Sequence, residues 1–174
     1  MIRSAKYTDA SMLADIYNYY VANTTATFEI EPISLDDMLN RIKNIESHSL
    51  PWLVCENKSG EVLGYAYASQ WKERTAYRHS VEITVYLEHN LTAQGLGSKL
   101  YTALFANLEK LPIHAAIGGI SLPNEASVAL HEKFGMEKVA HFSEVGKKFG
   151  KWIDVGYWQV LLTSGIPLNT GQLD

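Results

Sequence analysis

The chain has 174 residues, of which 47% are hydrophobic, so it can bury one substantial core but is short for two ordinary domains. Its formal net charge of −4 provides no broad basic surface for nucleic acid, and no apolar run has the length of a signal peptide or a membrane span. The single cysteine, Cys55, excludes an intramolecular disulfide, and no histidine or cysteine spacing indicates a metal site. We therefore expect one cytoplasmic domain over residues 1–162, a loose tail over residues 163–174, and no nucleic-acid, membrane or metal partner.

The first half of the chain predicts a strand, two helices and three further strands. Residues 2–5 are typical of a short strand, and Thr8 can cap a helix whose apolar residues fall on one face. Ser34 and Asp37 have the spacing of a capping box that begins a second helix. Apolar runs rich in β-formers then predict strands at residues 52–56, 62–71 and 80–87.

The second half begins with a glycine-rich loop, because Gly95 and Gly97 precede a segment with leucines at helical spacing. A strand is predicted at residues 115–122 and a short helix, ended by Gly135, at residues 125–134. Two further strands are predicted at residues 136–145 and 152–162, on either side of a turn at residues 146–150. The order β-α-α-β-β-β-α-β-α-β-β includes hairpins and at least one crossover helix. It predicts an α/β (α+β) fold with a mixed central sheet flanked by helices on both faces.

The glycine-rich loop has two interpretations. The glycines can simply permit a tight turn and close packing, or the backbone N–H groups of residues 93–98 can form a cradle for a pyrophosphate at a helix N-terminus. A P-loop matches poorly, since Ser98-Lys99 reverses the order of that motif, and a Rossmann fingerprint lacks its third glycine. The loop alone leaves both interpretations open.

Eight short segments, taken together, carry a resemblance to a known family. They are ADIYN at 14–18, PWLV at 51–54, GYAYA at 64–68, VEITVY at 81–86, QGLGS at 94–98, LPNEAS at 122–127, LHEKFG at 130–135 and KFGKWIDVG at 148–156. In this order, over nearly the whole chain, they resemble the GNAT superfamily of N-acetyltransferases. Within it they are most similar to the phosphinothricin and methionine sulfoximine acetyltransferase-like branch.

The resemblance implies acetyl-CoA as co-substrate. In this family a splayed central strand pairs with the pantetheine arm, and the following loop receives the pyrophosphate. The residues implied for cofactor binding are Val85, Tyr86 and Leu87 on the strand, Ala93, Gln94, Gly95, Leu96, Gly97 and Ser98 in the loop, and Asn124 after the next strand. Thr92 departs from the Arg or Gln usual at the start of the loop motif. Asn124 has the alternative of a helix N-cap.

Glu82 is the residue that we expect to act as general base. An amine is protonated near neutral pH, so attack on a thioester needs a proton acceptor close to the strand that binds the cofactor. The alternative is an ordinary exposed strand glutamate. His131 occupies the place of a family tyrosine that protonates the leaving thiolate, with a hydrogen-bonded structural histidine as its alternative. Cys55, in a predicted buried strand, is expected to be a core residue and not a nucleophile.

For the acceptor, the resemblance points to the segment before the Glu82 strand. There Arg74 and Arg78 are expected to bind a carboxylate or phosphinate, with Tyr77 and Phe28 as walls, and a solvated charged loop is the alternative. Lys147 departs from the family pattern. We expect direct acetyl transfer to a small amino-acid-like amine by an enzyme that forms a homodimer. The alternatives are a polyamine, an aminoglycoside or a protein N-terminus as acceptor, or a non-catalytic acyl-CoA-binding module.

Overall fold

The computed structural model describes residues 1–91 and 95–162. The helices of these ranges are α1 (Ala10–Asn23), α2 (Leu35–Ser47), α3 (Leu96–Leu108) and α4 (Glu125–Lys133). The strands are β1 (Ile2–Ser4), β2 (Trp52–Glu56), β3 (Val62–Gln70), β4 (Ser80–Leu87), β5 (Ala115–Leu122), β6 (Glu137–Lys148) and β7 (Lys151–Leu161). Their order in the chain is the predicted one. Thr92, Ala93, Gln94 and the predicted tail lie outside the described residues. Within the described ranges, no helix combines the length and the apolar character needed to cross a membrane.

The seven strands form one sheet in the order β1-β2-β3-β4-β5-β7-β6. All neighbours are antiparallel except β4 and β5, which run parallel and pair only between residues 80–82 and 115–117. Beyond Glu82 and Ile117 the two strands diverge, although β3 still pairs with β4 and β7 still pairs with β5. The sheet therefore opens into a V-shaped gap along residues 83–87 of β4.

Helices cover both faces of the sheet. On one face α3 packs against the sheet through Leu100, Leu104 and Leu108, which are fully buried. On the other face α1 and α2 form a second core, in which Leu13 and Met38 are buried with residues of β2 and β3. Burial of this apolar area on two faces supplies most of the driving force for the fold. The predicted α/β class, with a mixed sheet between helical layers, is confirmed.

Of the predictions made for helix ends, two are confirmed and one is wrong. Ser34 and Asp37 form the capping box of α2, since the Asp37 N–H donates to Ser34 Oγ at 3.1 Å and the Ser34 N–H to Asp37 Oδ2 at 3.0 Å. Gly135 follows α4 with φ of +74°. Thr8 does not cap α1, because it lies inside a 3₁₀ turn before the helix. Asp9 organises this turn instead, accepting hydrogen bonds from the Lys6 N–H at 2.7 Å and from Arg3.

The turn predicted at residues 146–150 is also wrong, because β6 continues to Lys148. The turn consists of Phe149 and Gly150, whose φ angles of +51° and +74° suit a two-residue hairpin between twisted strands. Gly146 lies in β6 itself, next to a shift in register that falls between Phe142 and Gly146. The hairpin strands are therefore longer than the sequence pattern predicts, since β6 ends at Lys148 and not at Val145, and β7 begins at Lys151 and not at Trp152.

Candidate active site

The V-shaped gap between β4 and β5 is the floor of a cleft of about 1210 Å³. Its walls come from β4, the start of α3, β5, α4, the segment after α1, and the β6–β7 hairpin. Successive residues of a strand direct their N–H and C=O groups to alternate sides, and within residues 83–87 only the β3 side of β4 is paired. The other side offers backbone groups to the cleft, as an extended amide-bearing ligand requires.

The N-terminus of α3 faces the same cleft. Gly95 takes the left-handed conformation, with φ of +73°, and caps the helix without a side-chain hydrogen bond. The N–H groups of Leu96, Gly97 and Ser98 belong to the first turn and have no carbonyl acceptor within the helix. Gly97 also permits close packing, since a Cβ there would lie 3.2 Å from Leu130 Cδ2. The turn and the close packing are both present, and they leave the N–H groups of this first turn free, so the anion cradle stays a prediction that the geometry permits.

Lys133 is a cleft residue that the sequence reasoning missed. It stands in the last turn of α4, and its Nζ donates to Ser98 Oγ at 3.0 Å, so a cation lies beside the first turn of α3. Asn124 lines the cleft and also N-caps α4, because its Oδ1 accepts from the Ser127 N–H at 3.1 Å. The N-cap alternative for Asn124 is confirmed, and its side-chain NH₂ is not used by the cap.

Glu82 lies where β4 and β5 part, with its side chain in the cleft. Its Oε1 is 3.2 Å from the position that a Cβ would take on Gly119, so the glycine leaves room for the carboxylate. Burial raises the pKa of Glu82, and the nearby Lys72 ammonium opposes that rise. A carboxylate with a raised pKa is a better proton acceptor than an ordinary surface glutamate. Nothing in the sequence apart from its charge singles out Lys72 as a residue near the site.

His131 is buried against β5 and is hydrogen-bonded at both ring nitrogens. Nδ1 lies 2.7 Å from the Ser127 carbonyl oxygen and Nε2 lies 3.1 Å from the Tyr101 hydroxyl. The carbonyl can only accept, so Nδ1 carries the proton and Nε2 accepts from Tyr101. Burial lowers the pKa of His131, which favours this neutral form, while the Ser127 carbonyl opposes the shift. The hydrogen bonds at both ring nitrogens thus fit the alternative of a structural histidine, and the role of proton donor stays a prediction.

The end of the cleft beyond Glu82 is mostly apolar and aromatic. It is lined by Phe28, Phe142, Val145, Val155 and Tyr157. Phe28 crosses over Gly146 of β6, where a Cβ would lie 2.1 Å from Phe28 Cε1. Lys147 contributes a cation to this end. Apart from Glu82, this wall therefore suits the side chain of a small molecule better than a chain of positive charges.

Of the four residues predicted to bind the acceptor, only Phe28 lines the main cleft. Arg74 and Tyr77 line a smaller cleft of about 660 Å³ together with Trp71, and Arg78 is exposed and donates to the Thr75 carbonyl. The two clefts are neighbours, because Trp71 packs edge-on against Tyr157 with 5.5 Å between ring centres. The acceptor roles of these residues stay predictions.

Most of the other predicted site residues line the main cleft. Val85, Tyr86, Leu87, Gly95, Leu96, Gly97, Ser98 and Asn124 all line the main cleft, whereas Ala93 and Gln94 lie outside the described residues. Cys55 is buried in the core, as predicted. In residues 1–91 and 95–162, no group of three or more His, Cys, Asp or Glu side chains could hold a metal ion.

Comparison with known proteins identifies the family to which the chain belongs. A profile described as acetyltransferase (GNAT) domain matches residues 2–156. Phosphinothricin N-acetyltransferase of Streptomyces viridochromogenes is 39% identical over 91% of this chain and 85% of its own length. L-methionine sulfoximine/L-methionine sulfone acetyltransferase of Pseudomonas aeruginosa is 34% identical over 92% of this chain and 94% of its own.

A solved structure extends the comparison to three dimensions. The crystal structure of a phosphinothricin acetyltransferase from Sinorhizobium meliloti, in complex with acetyl-CoA, superposes with a TM-score of 0.92. The two chains are 32% identical, and the superposition covers 98% of this chain and 94% of the other. The resemblance inferred from the motifs is confirmed, as is acetyl-CoA as co-substrate. The chain belongs to the GNAT acetyltransferase family and is an acetyl-CoA-dependent N-acetyltransferase.

Proposed function

We propose that this enzyme acetylates the primary amine of a small amino-acid-like acceptor by direct transfer, with Glu82 as general base. The observation that carries the proposal is the place of Glu82, at the apex of the V-shaped gap and between the two halves of the cleft. A carboxylate there can reach an amine that lies on the apolar wall while a thioester lies along β4. Burial raises its pKa, which makes it a stronger proton acceptor than an ordinary surface glutamate.

The proposed reaction has one bond-forming step. The neutral amine attacks the thioester carbonyl, the C–N bond forms, and a tetrahedral oxyanion develops. A backbone N–H of β4 near Val85 donates to that oxyanion. Glu82 takes the proton that the nitrogen loses, the C–S bond breaks, and CoA leaves as its thiolate. No enzyme nucleophile takes part, in keeping with the burial of Cys55 away from the cleft.

Two observations support an amino-acid-like acceptor. The relatives named above act on phosphinothricin and on methionine sulfoximine or sulfone, which are amino acids with a short polar group on an apolar side chain. The apolar wall around Phe28 and Val155 suits such a side chain. The cations near the mouth, Lys72 beside Glu82 and Arg74 in the adjoining cleft, suit its carboxylate. We therefore retain Arg74, Tyr77 and Arg78 as proposed acceptor residues.

The test of this proposal is a panel of acceptors assayed by thiol release from acetyl-CoA. We expect turnover of methionine sulfone, methionine sulfoximine or phosphinothricin, and a kcat/KM at least tenfold lower for the matching carboxamides, which lack the negative charge. Arg74→Ala and Arg78→Ala should lose part of that preference while acetyl-CoA affinity is unchanged. Equal use of acid and amide, or a preference for spermidine, an aminoglycoside or a peptide N-terminus, would contradict the proposed acceptor class.

Homodimer assembly is part of the same proposal. The β6–β7 hairpin exposes several large apolar side chains, and their burial between two copies would be favourable. They are Val139, Phe142, Val145, Phe149 and Trp152. Sedimentation equilibrium across a range of protein concentrations measures the assembly directly. A monomer at micromolar concentration would contradict it.

A further inference from the structure

Lys148 is a charged side chain in an unusual place, because it is only 4% exposed. It is the last residue of β6, and its Nζ donates to the Thr27 carbonyl oxygen at 2.8 Å, with the Tyr20 carbonyl oxygen at 3.5 Å. Among the residues that the structure describes, no carboxylate lies within ion-pair distance of Lys148. Burial lowers the pKa of Lys148, and the negative charge of Glu29 opposes that shift. Burying an ammonium group costs free energy unless its hydrogen bonds are satisfied, so the groups that Lys148 bonds to indicate its role.

The nearer partner, Thr27, belongs to the segment between α1 and α2, residues 24–34, which has no regular secondary structure. Thr27 is anchored a second time, since its Oγ1 lies 2.6 Å from the Tyr17 hydroxyl. On the far side of Phe28, the Glu29 carboxylate is paired with Arg41 of α2. Phe28 thus stands between two anchored neighbours, although it is itself 38% exposed and has no polar group that could fix it.

The β6–β7 hairpin meets Phe28 at a second point. Gly146, two residues before Lys148, leaves the space that the Phe28 ring occupies. Lys148 therefore holds the backbone of Thr27 at the place where the next side chain crosses Gly146. Lys148 and Thr27 are 121 positions apart in the chain, yet their two segments together form one wall of the cleft.

We infer that Lys148 is a positioning residue for the acceptor site, holding residues 24–34 against the β6–β7 hairpin so that Phe28 closes the apolar wall. The inference rests on the proposed function in taking that wall as the acceptor's. A cation suits this role because Tyr20 O belongs to the last turn of α1, where a positive charge is favourable. An apolar side chain of the same length would fill the space but leave the Thr27 carbonyl without this donor.

The test compares Lys148→Met with Lys151→Met, an exposed lysine of the same hairpin. The first readout is amide hydrogen exchange of residues 24–34, followed by mass spectrometry. The second is KM for methionine sulfone at saturating acetyl-CoA, together with kcat and the acetyl-CoA Kd. For Lys148→Met we expect exchange of residues 24–34 to accelerate about tenfold and acceptor KM to rise about tenfold. Acetyl-CoA Kd should stay within about twofold, and Lys151→Met should match wild type throughout.

Two results would overturn the inference. Unchanged exchange in residues 24–34 would show that Lys148 does not hold the segment. Accelerated exchange with unchanged acceptor KM would show that the segment does not shape the acceptor site. If wild type used no amino acid of the panel, the proposed function would fail by itself, and exchange would still decide whether Lys148 holds the segment. Should Lys148→Met fail to fold, Thr27→Val removes the Tyr17 anchor instead, and we expect the same pattern at about threefold.

Discussion

The two halves of the cleft are built in different ways. The half that we propose for acetyl-CoA, the cofactor half, is lined by residues 83–87 of β4 and by the first turn of α3, both of which present free backbone groups. The half that we propose for the acceptor, the acceptor half, is lined by side chains from the segment after α1, from β5 and from the β6–β7 hairpin. A binding surface made of backbone tolerates many side chains, whereas one made of side chains sets specificity. We therefore expect substitutions in the cofactor half to alter affinity for acetyl-CoA, and substitutions in the acceptor half to alter the choice of acceptor.

Glu82 joins the two halves, so its loss should have the largest effect. Glu82→Gln keeps the shape and removes the proton acceptor, and we expect kcat to fall about a hundredfold or more. Acetyl-CoA Kd, measured by calorimetry, should stay within about twofold of wild type, because the cofactor half is untouched. Turnover near the wild-type rate at pH 7 would place the base elsewhere.

The next largest effect should follow a change that disturbs only the cofactor half. Gly97→Val places branched atoms where even a Cβ would lie 3.2 Å from Leu130, so the first turn of α3 must shift. We expect acetyl-CoA affinity to fall about thirtyfold. Gly97→Ala is the matched control, since a small movement of Leu130 accommodates one methyl group, and it should stay within about threefold. A folded Gly97→Val protein with wild-type affinity would contradict the cradle.

A smaller effect should follow loss of the cation beside that cradle. Lys133→Ala should weaken acetyl-CoA binding about tenfold at low ionic strength and less at high salt, because screening reduces a charge contact. Lys99→Ala is the control, as this exposed lysine of α3 does not line the cleft. S-Acetylpantetheine, which lacks phosphates, should bind both variants equally well. Equal effects of the two substitutions on acetyl-CoA would show that Lys133 acts only through general charge.

The contrast between the halves also explains what the sequence could predict. The order of helices and strands along the chain follows from local periodicity and turn residues. Glu82 and the cofactor interpretation of the glycine-rich loop are indicated only by the resemblance that the contiguous motifs carry. Lys133 and Lys148 could not be singled out, because their hydrogen-bond partners Ser98 and Thr27 lie 35 and 121 positions away in the chain. Lys72 is an exposed lysine of a charged loop, and only the fold shows which of the loop's charges lies near Glu82. The turn at Phe149-Gly150 was misplaced for a related reason, since Gly146 resembles a turn residue but serves to admit Phe28.

The smallest effect on turnover should come from His131. If its role is structural, His131→Ala removes two hydrogen bonds from a buried site and should lower the free energy of unfolding by about 1–3 kcal/mol. The value of kcat, measured below the melting temperature, should then fall less than about fivefold. Chemical denaturation and turnover of the same preparation separate the two quantities. A large loss of kcat with unchanged stability would establish His131 as the proton donor.

The central claim, that Glu82 is the base for transfer to an amine, is tested most directly by the pH dependence of kcat/KM with methionine sulfone. The acceptor must lose a proton to react, so log kcat/KM should rise with a slope of about 1 below the pKa of the amine. In wild type, protonation of Glu82 adds a second slope at acid pH, approaching about 2, and it begins above the ordinary glutamate pKa because burial raises the pKa of Glu82. In Glu82→Gln the slope should remain about 1 throughout. A slope that approaches about 2 at acid pH in both proteins would contradict the claim that Glu82 is the base.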